Sequence, residues 1–250
     1  SSYNALNARL TRRFSNNFQF EANYRFSRSK DHLSYEGPGG DTNQTNPGDL
    51  DSEYGFSDFD VRHLITVAGT YETNFFHNGN PAARAILGGF QFNAIVTANT
   101  GFPYTPKFFS DIRQPSGRFF GPIRPSSYNG GALDDSSDEA FIRPGGNFPG
   151  GGARYFTLTP NAQPGIDRNS FRGPRYFNVD MSVAKKIALG FINESSNLEL
   201  RANLFNAFNM INLAPIRFFE AGSIITDPNF GRSLRGLSGR VIELQARFRF

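Results

Sequence analysis

The sequence has no cysteine, no tryptophan and only 2 methionines. Without cysteine there is no disulfide framework and no thiolate zinc or redox centre. No run of about 18 apolar residues occurs, which excludes a transmembrane helix. The opening SSYNALNARL lacks the basic-then-apolar pattern of a leader, so the start reads as the middle of something longer. Charge of one sign is also scarce. The 26 Lys and Arg stand against 22 Asp and Glu, a net charge of +4, and the basic residues are spread along the chain. That distribution argues against a nucleic-acid partner. Hydrophobic residues make up 38% of the chain, below the globular share of about 45–50%. What the chain does have is 28 Phe and 9 Tyr, with 26 Gly and 15 Pro gathered between patterned segments.

Those segments alternate with period two, which sends successive side chains to opposite faces of a strand. Residues 18–27 place Phe18, Phe20, Ala22, Tyr24 and Phe26 on one face and Gln19, Glu21, Asn23 and Arg25 on the other. Residues 88–99 set Phe90, Phe92, Ala94, Val96 and Ala98 against Gln91, Asn93, Thr97 and Asn99. Residues 239–250 set Ile242, Leu244, Ala246, Phe248 and Phe250 against Glu243, Gln245, Arg247 and Arg249. A helix would scatter each set around its circumference. The same pattern, less regular, covers 4–14, 59–73, 176–186 and 197–206. In 59–73 it places Phe59, Val61, Ile65, Val67 and Tyr71 opposite Asp60, Arg62, Thr66 and Glu72. The expectation is seven strands of about ten residues, an all-β antiparallel fold with no helix.

The connections alternate in length. A tight polar turn at 15–17 is followed by long links at 28–58, 101–174 and 207–238, with shorter ones at 74–87 and 187–196. The long links all leave one end of the sheet. Loops longer than about 12–15 residues are uncommon in compact domains unless they are functional. Alternation by itself allows a soluble antiparallel sandwich. Three features favour a transmembrane β-barrel. Strands of about 9–11 residues cross a bilayer when tilted. Outer-membrane barrels combine short periplasmic turns with long external loops. Phe and Tyr recur at the strand ends, where aromatic girdles meet the interfaces. Lipid offers no hydrogen bonds, so a spanning sheet must close. Seven is odd, whereas bacterial single-chain barrels have even strand numbers. Residues 1–250 therefore read as one C-terminal part of a larger barrel domain.

Taken in order, the segments 3–6 (YNAL), 12–14 (RRF), 22–24 (ANY), 57–63, 100–106, 168–174, 177–180, 204–209 and 230–232 resemble the barrel domain of TonB-dependent outer-membrane receptors, in particular the Oar-like group. Tyr3-Asn4-Ala5-Leu6, Arg12-Arg13-Phe14 and Ala22-Asn23-Tyr24 are similar to that family's opening hairpin. Residues 57–63 (SDFDVRH) resemble its strand entry, and 100–106 (TGFPYTP) its exit into a large external loop. The most specific match is 168–174 (RNSFRGP) leading into 177–180 (FNVD), supported by 204–209 (LFNAFN) and 230–232 (FGR). The resemblance implies a barrel of about 22 strands with an N-terminal plug, of which this chain supplies the last seven. It implies import of a bulky nutrient across the bacterial outer membrane. The implied partners are outer-membrane lipid, the TonB complex reached through missing N-terminal regions, and an extracellular ligand of unknown kind. The ending 245–250 (QARFRF) resembles the terminal signal read by the outer-membrane assembly machinery, with Phe248 and Phe250 as its aromatic pair and Gln245 where Gly is usual. An adhesion or matrix protein on the same barrel, or a soluble β-sandwich binding module, is also compatible with the sequence.

Candidate chemistry is sparse. Asp60 and His63, three apart on a strand, point to opposite faces and cannot form an acid–base pair. His32 and His77 lie in loops with no matching carboxylate and nucleophile, so the chain does not read as an enzyme. The acidic stretches Asp41, Asp49, Asp51, Glu53 and Asp134-Asp135-Ser136-Ser137-Asp138-Glu139 follow no calcium-loop spacing and read as solvated charge. Gly145-Gly146 and Gly150-Gly151-Gly152 do not join a strand to a helix and read as loop punctuation. No cofactor or metal is expected. On the polar face, Arg25, Arg62, Arg201 and Glu199 are the lumen-facing candidates, in cross-strand ladders worth about 0.2–1 kcal/mol per pair.

Overall fold

The computed structural model describes residues 1–34, 49–73, 88–110, 121–129, 155–157, 165–190, 196–217 and 220–250. Seven long strands form one sheet: β1 (Ser2–Ser15), β2 (Phe18–Asp31), β3 (His63–Glu72), β4 (Phe90–Asn99), β5 (Tyr176–Ala188), β6 (Asn197–Phe205) and β7 (Val241–Arg249). They are ordered β1 through β7 as an antiparallel meander. No α-helix occurs among the described residues; Asp51–Glu53 and Ala221–Ser223 are single 3₁₀ turns. Among the described residues β1 and β7 are edge strands, and every residue of both is exposed.

Strand ends differ from the sequence expectation where backbone geometry intervenes. β1 and β2 meet at Asn16 and Asn17, whose φ values of 52° and 63° are both left-handed; a two-residue hairpin turn that follows the sheet twist needs this. β4 begins at Phe90 rather than residue 88, because Gly89 at φ 71° leaves the extended region. β6 stops at Phe205, before Asn206 at φ 50°. β3 begins at His63 rather than residue 59. Residues 57–60 form a turn closed by the Asp60 amide on the Ser57 carbonyl at 2.9 Å, so Phe59 is exposed and Val61 buried instead of both lying on a strand face. The expected long loop 101–174 is also partly built. Its described residues contain three small ladders, 103–104 with 171–172, 108–110 with 121–123, and 127–128 with 156–157.

The register carries one apolar face across the sheet. Cross-strand partners run Leu10–Ala22–Val67–Val96–Val179 and, further along, Gly69–Ala94–Met181–Leu204–Ile242. Aromatic rings take the ends, with Phe18–Tyr71–Phe92 as neighbours near the short turns and Tyr24 and Phe26 near the long connections. Cations on this face also sit only at its ends, among the described residues. Arg12 lies over Phe18 at 5.5 Å and Lys185 over Phe90 at 4.5 Å, while Arg28 lies over Phe26 at 6.0 Å. Such side chains run their stems along apolar surface and hold the charge at an interface. Among the described residues no second layer covers the face: Leu6, Leu10, Ile65, Ile242 and Leu244 are all exposed. A soluble sandwich would bury it.

The opposite face is polar. Thr70, Asn93 and Ser182 chain across three strands at 2.9 Å each. Hydrophobic packing is concentrated elsewhere. The buried cluster Tyr104, Phe108, Ile123, Phe156, Phe171, Ile216, Ile225 and Phe230 lies wholly outside the seven strands, in the long connections at one end of the sheet.

Candidate functional site

The site that these elements build is the platform of packed connections above the strand ends. Its two central segments are 100–106 and 168–174. Phe171 pairs with Tyr104 and Arg172 with Pro103, and the Gly173 amide donates to the Phe102 carbonyl at 2.8 Å. This approach is why residue 101 is glycine: a Cβ there would lie 1.8 Å from the Gly173 oxygen. Phe171 stands at the centre of the aromatic cluster, with Tyr104, Tyr128, Phe156 and Phe230 rings at 5.2–6.4 Å. Burial pushes the Tyr104 hydroxyl well above its ordinary pKa, with Tyr128 adding to the effect, and raises that of Tyr128 less.

Four ion pairs, made by three arginines, fasten this cluster to the strand ends. Arg172 donates to the Asp60 carboxylate at 2.5 Å and to the Asp60 carbonyl at 3.0 Å, and the same carboxylate accepts the Ser29 amide at 2.6 Å. Arg168 pairs with Asp31 and, at 3.4 Å, with Asp58. Asn169, at φ 57°, donates to Asp58 at 2.5 Å and to the Phe56 carbonyl at 2.8 Å. Arg124 and Glu53 form a buried pair at 3.3 Å. Asp31 is the fourteenth residue of β2, beyond the roughly 9–11 residues a crossing needs. Burial would raise its pKa, but hydrogen bonds from Ser57 and Ser34 and the Arg168 charge outweigh that and hold it below the ordinary carboxylate value. Fixed charges, a dry aromatic core and close backbone contacts make a rigid support for the connections that rise from it.

The residues singled out from the sequence fall as follows. Asp60 and His63 are not partners: Asp60 is held by Arg172, and the His63 Nδ1 lies 2.8 Å from the Tyr24 hydroxyl. Arg25, Arg201 and Glu199 lie on the polar face. Arg25 lines a hollow of about 330 Å³ with Asn7, Asn23 and Thr66. Arg201 donates to Glu199 at 2.8 Å within one strand, two residues apart, so this pair is not the cross-strand rung expected. Arg9 with Glu21, at 2.6 Å between β1 and β2, is one. Arg62 precedes β3, and its guanidinium lies 5.3 Å from the Phe56 ring centroid. The Phe248 and Phe250 rings stack at 5.9 Å, with Phe250 exposed. Glu53 is not solvated charge but buried against Arg124, while Asp49 and Asp51 are exposed. His32 packs on Tyr54 at 5.0 Å. His77, Asp41, the 134–139 stretch and the glycines at 145–146 and 150–152 lie outside the described residues.

Reading single residues missed the cluster of Arg168 and Arg172 with Asp31, Asp58 and Asp60. The signal was available. Each partner sits inside a segment quoted for the family resemblance, or at the end of a strand that alternates cleanly.

A single antiparallel sheet with one apolar, ring-bordered face, one polar face and a loop platform at one end is the wall of a membrane β-barrel. The chain belongs to the outer membrane beta barrel domain family, whose model matches residues 1–243. Its location is the bacterial outer membrane. Comparison with curated proteins and with solved structures gave no match.

Proposed function

We propose that this chain is the C-terminal seven-strand part of a TonB-dependent receptor of the Oar-like group, which binds and imports a bulky nutrient. The observation that carries the reading is the way the resembling segments interlock. Residues 57–63, 100–106, 168–174 and 230–232 are far apart in sequence, yet they form one platform through Asp60–Arg172, the Phe171–Tyr104 ladder and the Phe171–Phe230 contact. A receptor needs such a support to hold its ligand-contacting loops steady against the pull of import. In this reading the chain does no bond chemistry. Arg25, Arg201 and Glu199 line the wet side of the wall along the ligand's route, Arg62 lies at its rim, and Phe248 and Phe250 serve the assembly machinery. The TonB complex acts through regions N-terminal to the chain.

The test is a deletion in the intact receptor. Removing residues 130–154 spares every described element of the platform, so the barrel should insert as before while ligand uptake is lost. Unchanged uptake would overturn the reading of this connection as one of the ligand-contacting loops. Loss of uptake with retained cell adhesion to a surface would support import over an adhesive role.

A further inference from the structure

A cleft of about 700 Å³ opens where the apolar face meets the platform. Its floor is one row of cross-strand partners, Ile65, Ala98 and Phe177. Ile65 is the third residue of β3, Ala98 the last but one of β4 and Phe177 the second of β5, so the row lies just inside the end that carries the long connections. Ile65 and Phe177 are 42% and 40% exposed, and the small Ala98 between them leaves the hollow. The next row outward on the same face is His63, Thr100 and Arg175, with the Thr100 amide donating to the His63 carbonyl at 3.0 Å. All six of these residues line the cleft, and Arg62 and Arg172 join them. None of the described lining residues is acidic. Arg172 is neutralised by Asp60, and Arg175 occupies an exposed position of the rim.

An apolar trough that faces acyl chains, closed at its outer end by guanidinium groups, is complementary to one kind of molecule. We propose that the cleft binds a lipid of the outer leaflet whose phosphorylated headgroup carries net negative charge. One acyl chain would lie over Ala98 between Ile65 and Phe177, and the phosphate would be held by Arg175. Guanidinium matches phosphate geometry with paired N–H donors, and basic pockets beside membrane-facing surfaces recognise anionic headgroups. The site lies on the bilayer side of the sheet, apart from the polar face and from any ligand route. It depends on the membrane location and not on the transport reading.

Native mass spectrometry of the intact outer-membrane protein in detergent tests this, with phosphatidic acid, phosphatidylcholine of the same chains, and inorganic phosphate as probes. Phosphatidic acid should be retained about tenfold more tightly than phosphatidylcholine, the size of effect expected from one charge-assisted contact. Arg175→Glu should abolish that preference. Ala98→Leu, which fills the hollow without changing charge, should weaken both lipids. Heat-modifiable migration reports that each variant is folded, and if Arg175→Glu does not insert, Ala98→Leu still decides. Equal retention of the two lipids, or phosphatidic acid held unchanged by Ala98→Leu, would overturn the proposal. Displacement of phosphatidic acid by inorganic phosphate at equal concentration would also overturn it, by showing a free-anion site.

Discussion

Arg172 reaches the Asp60 carboxylate at 2.5 Å although the two residues are 112 positions apart, and neither side chain is accessible to solvent by more than 7%. The pair joins the start of the third strand to the return of the longest connection. Its surroundings are dry, so its parts cannot be removed one at a time without exposing a charge to low dielectric.

Arg172→Met should therefore destabilise the protein by about 3–5 kcal/mol, the cost of leaving a buried carboxylate unpaired. Urea unfolding from lipid vesicles measures it. Asp60→Asn added to Arg172→Met should recover part of the loss, because the uncompensated charge is gone. A loss below about 1 kcal/mol in the single variant would mean that water reaches Asp60.

Phe171→Ala should open the platform without unseating the wall. Truncating a buried Phe costs about 3–5 kcal/mol, and the rings around this one belong to the connections and not to the spanning strands. Limited proteolysis of intact cells should cut the external connections faster, while the heat-modifiable mobility of the barrel stays as in the parent. Unchanged protection would show that the cluster does not fasten the loops.

The two faces can be separated by one pair of neighbours. Val67 lies mid-strand in the apolar row and Thr66 on the polar face. Val67→Arg should cost about 2–4 kcal/mol, the value for a cation at the midplane on the lipid side of a barrel. Thr66→Arg should cost much less. Folding titrations in vesicles read both, and equal costs would put the apolar face against something other than lipid.

Acid should loosen the platform through Asp31. Its pKa is lower in the folded protein than in the unfolded chain, so its contribution is full above the unfolded value near 3.9 and is lost as pH falls through the lower folded value. Protease resistance of the external connections should hold at pH 5 and decline below about pH 4. Arg168→Gln removes one of the causes that lower the Asp31 pKa, so the acid-dependent loss should be smaller and complete at a higher pH. An unchanged profile in that variant would exclude Arg168 as a source of the shift.

The seven strands and their faces were legible in the sequence because a spanning strand has a period of two and a bilayer imposes it without interruption. From Leu10 to Val179, and again from Gly69 to Ile242, side-chain parity alone set each residue's face, and the register kept the parity through every pairing. The turn at Asn16-Asn17 was legible for the same local reason, since Asn tolerates left-handed backbone. The platform was not. Phe171 on Phe230, Arg168 on Asp31 and Arg172 on Asp60 join segments with no shared period, and a loop's side chains find partners through the path of the folded chain and not through their spacing. Period decided the wall, while long-range packing in a dry interior decided which charges and rings would meet above it.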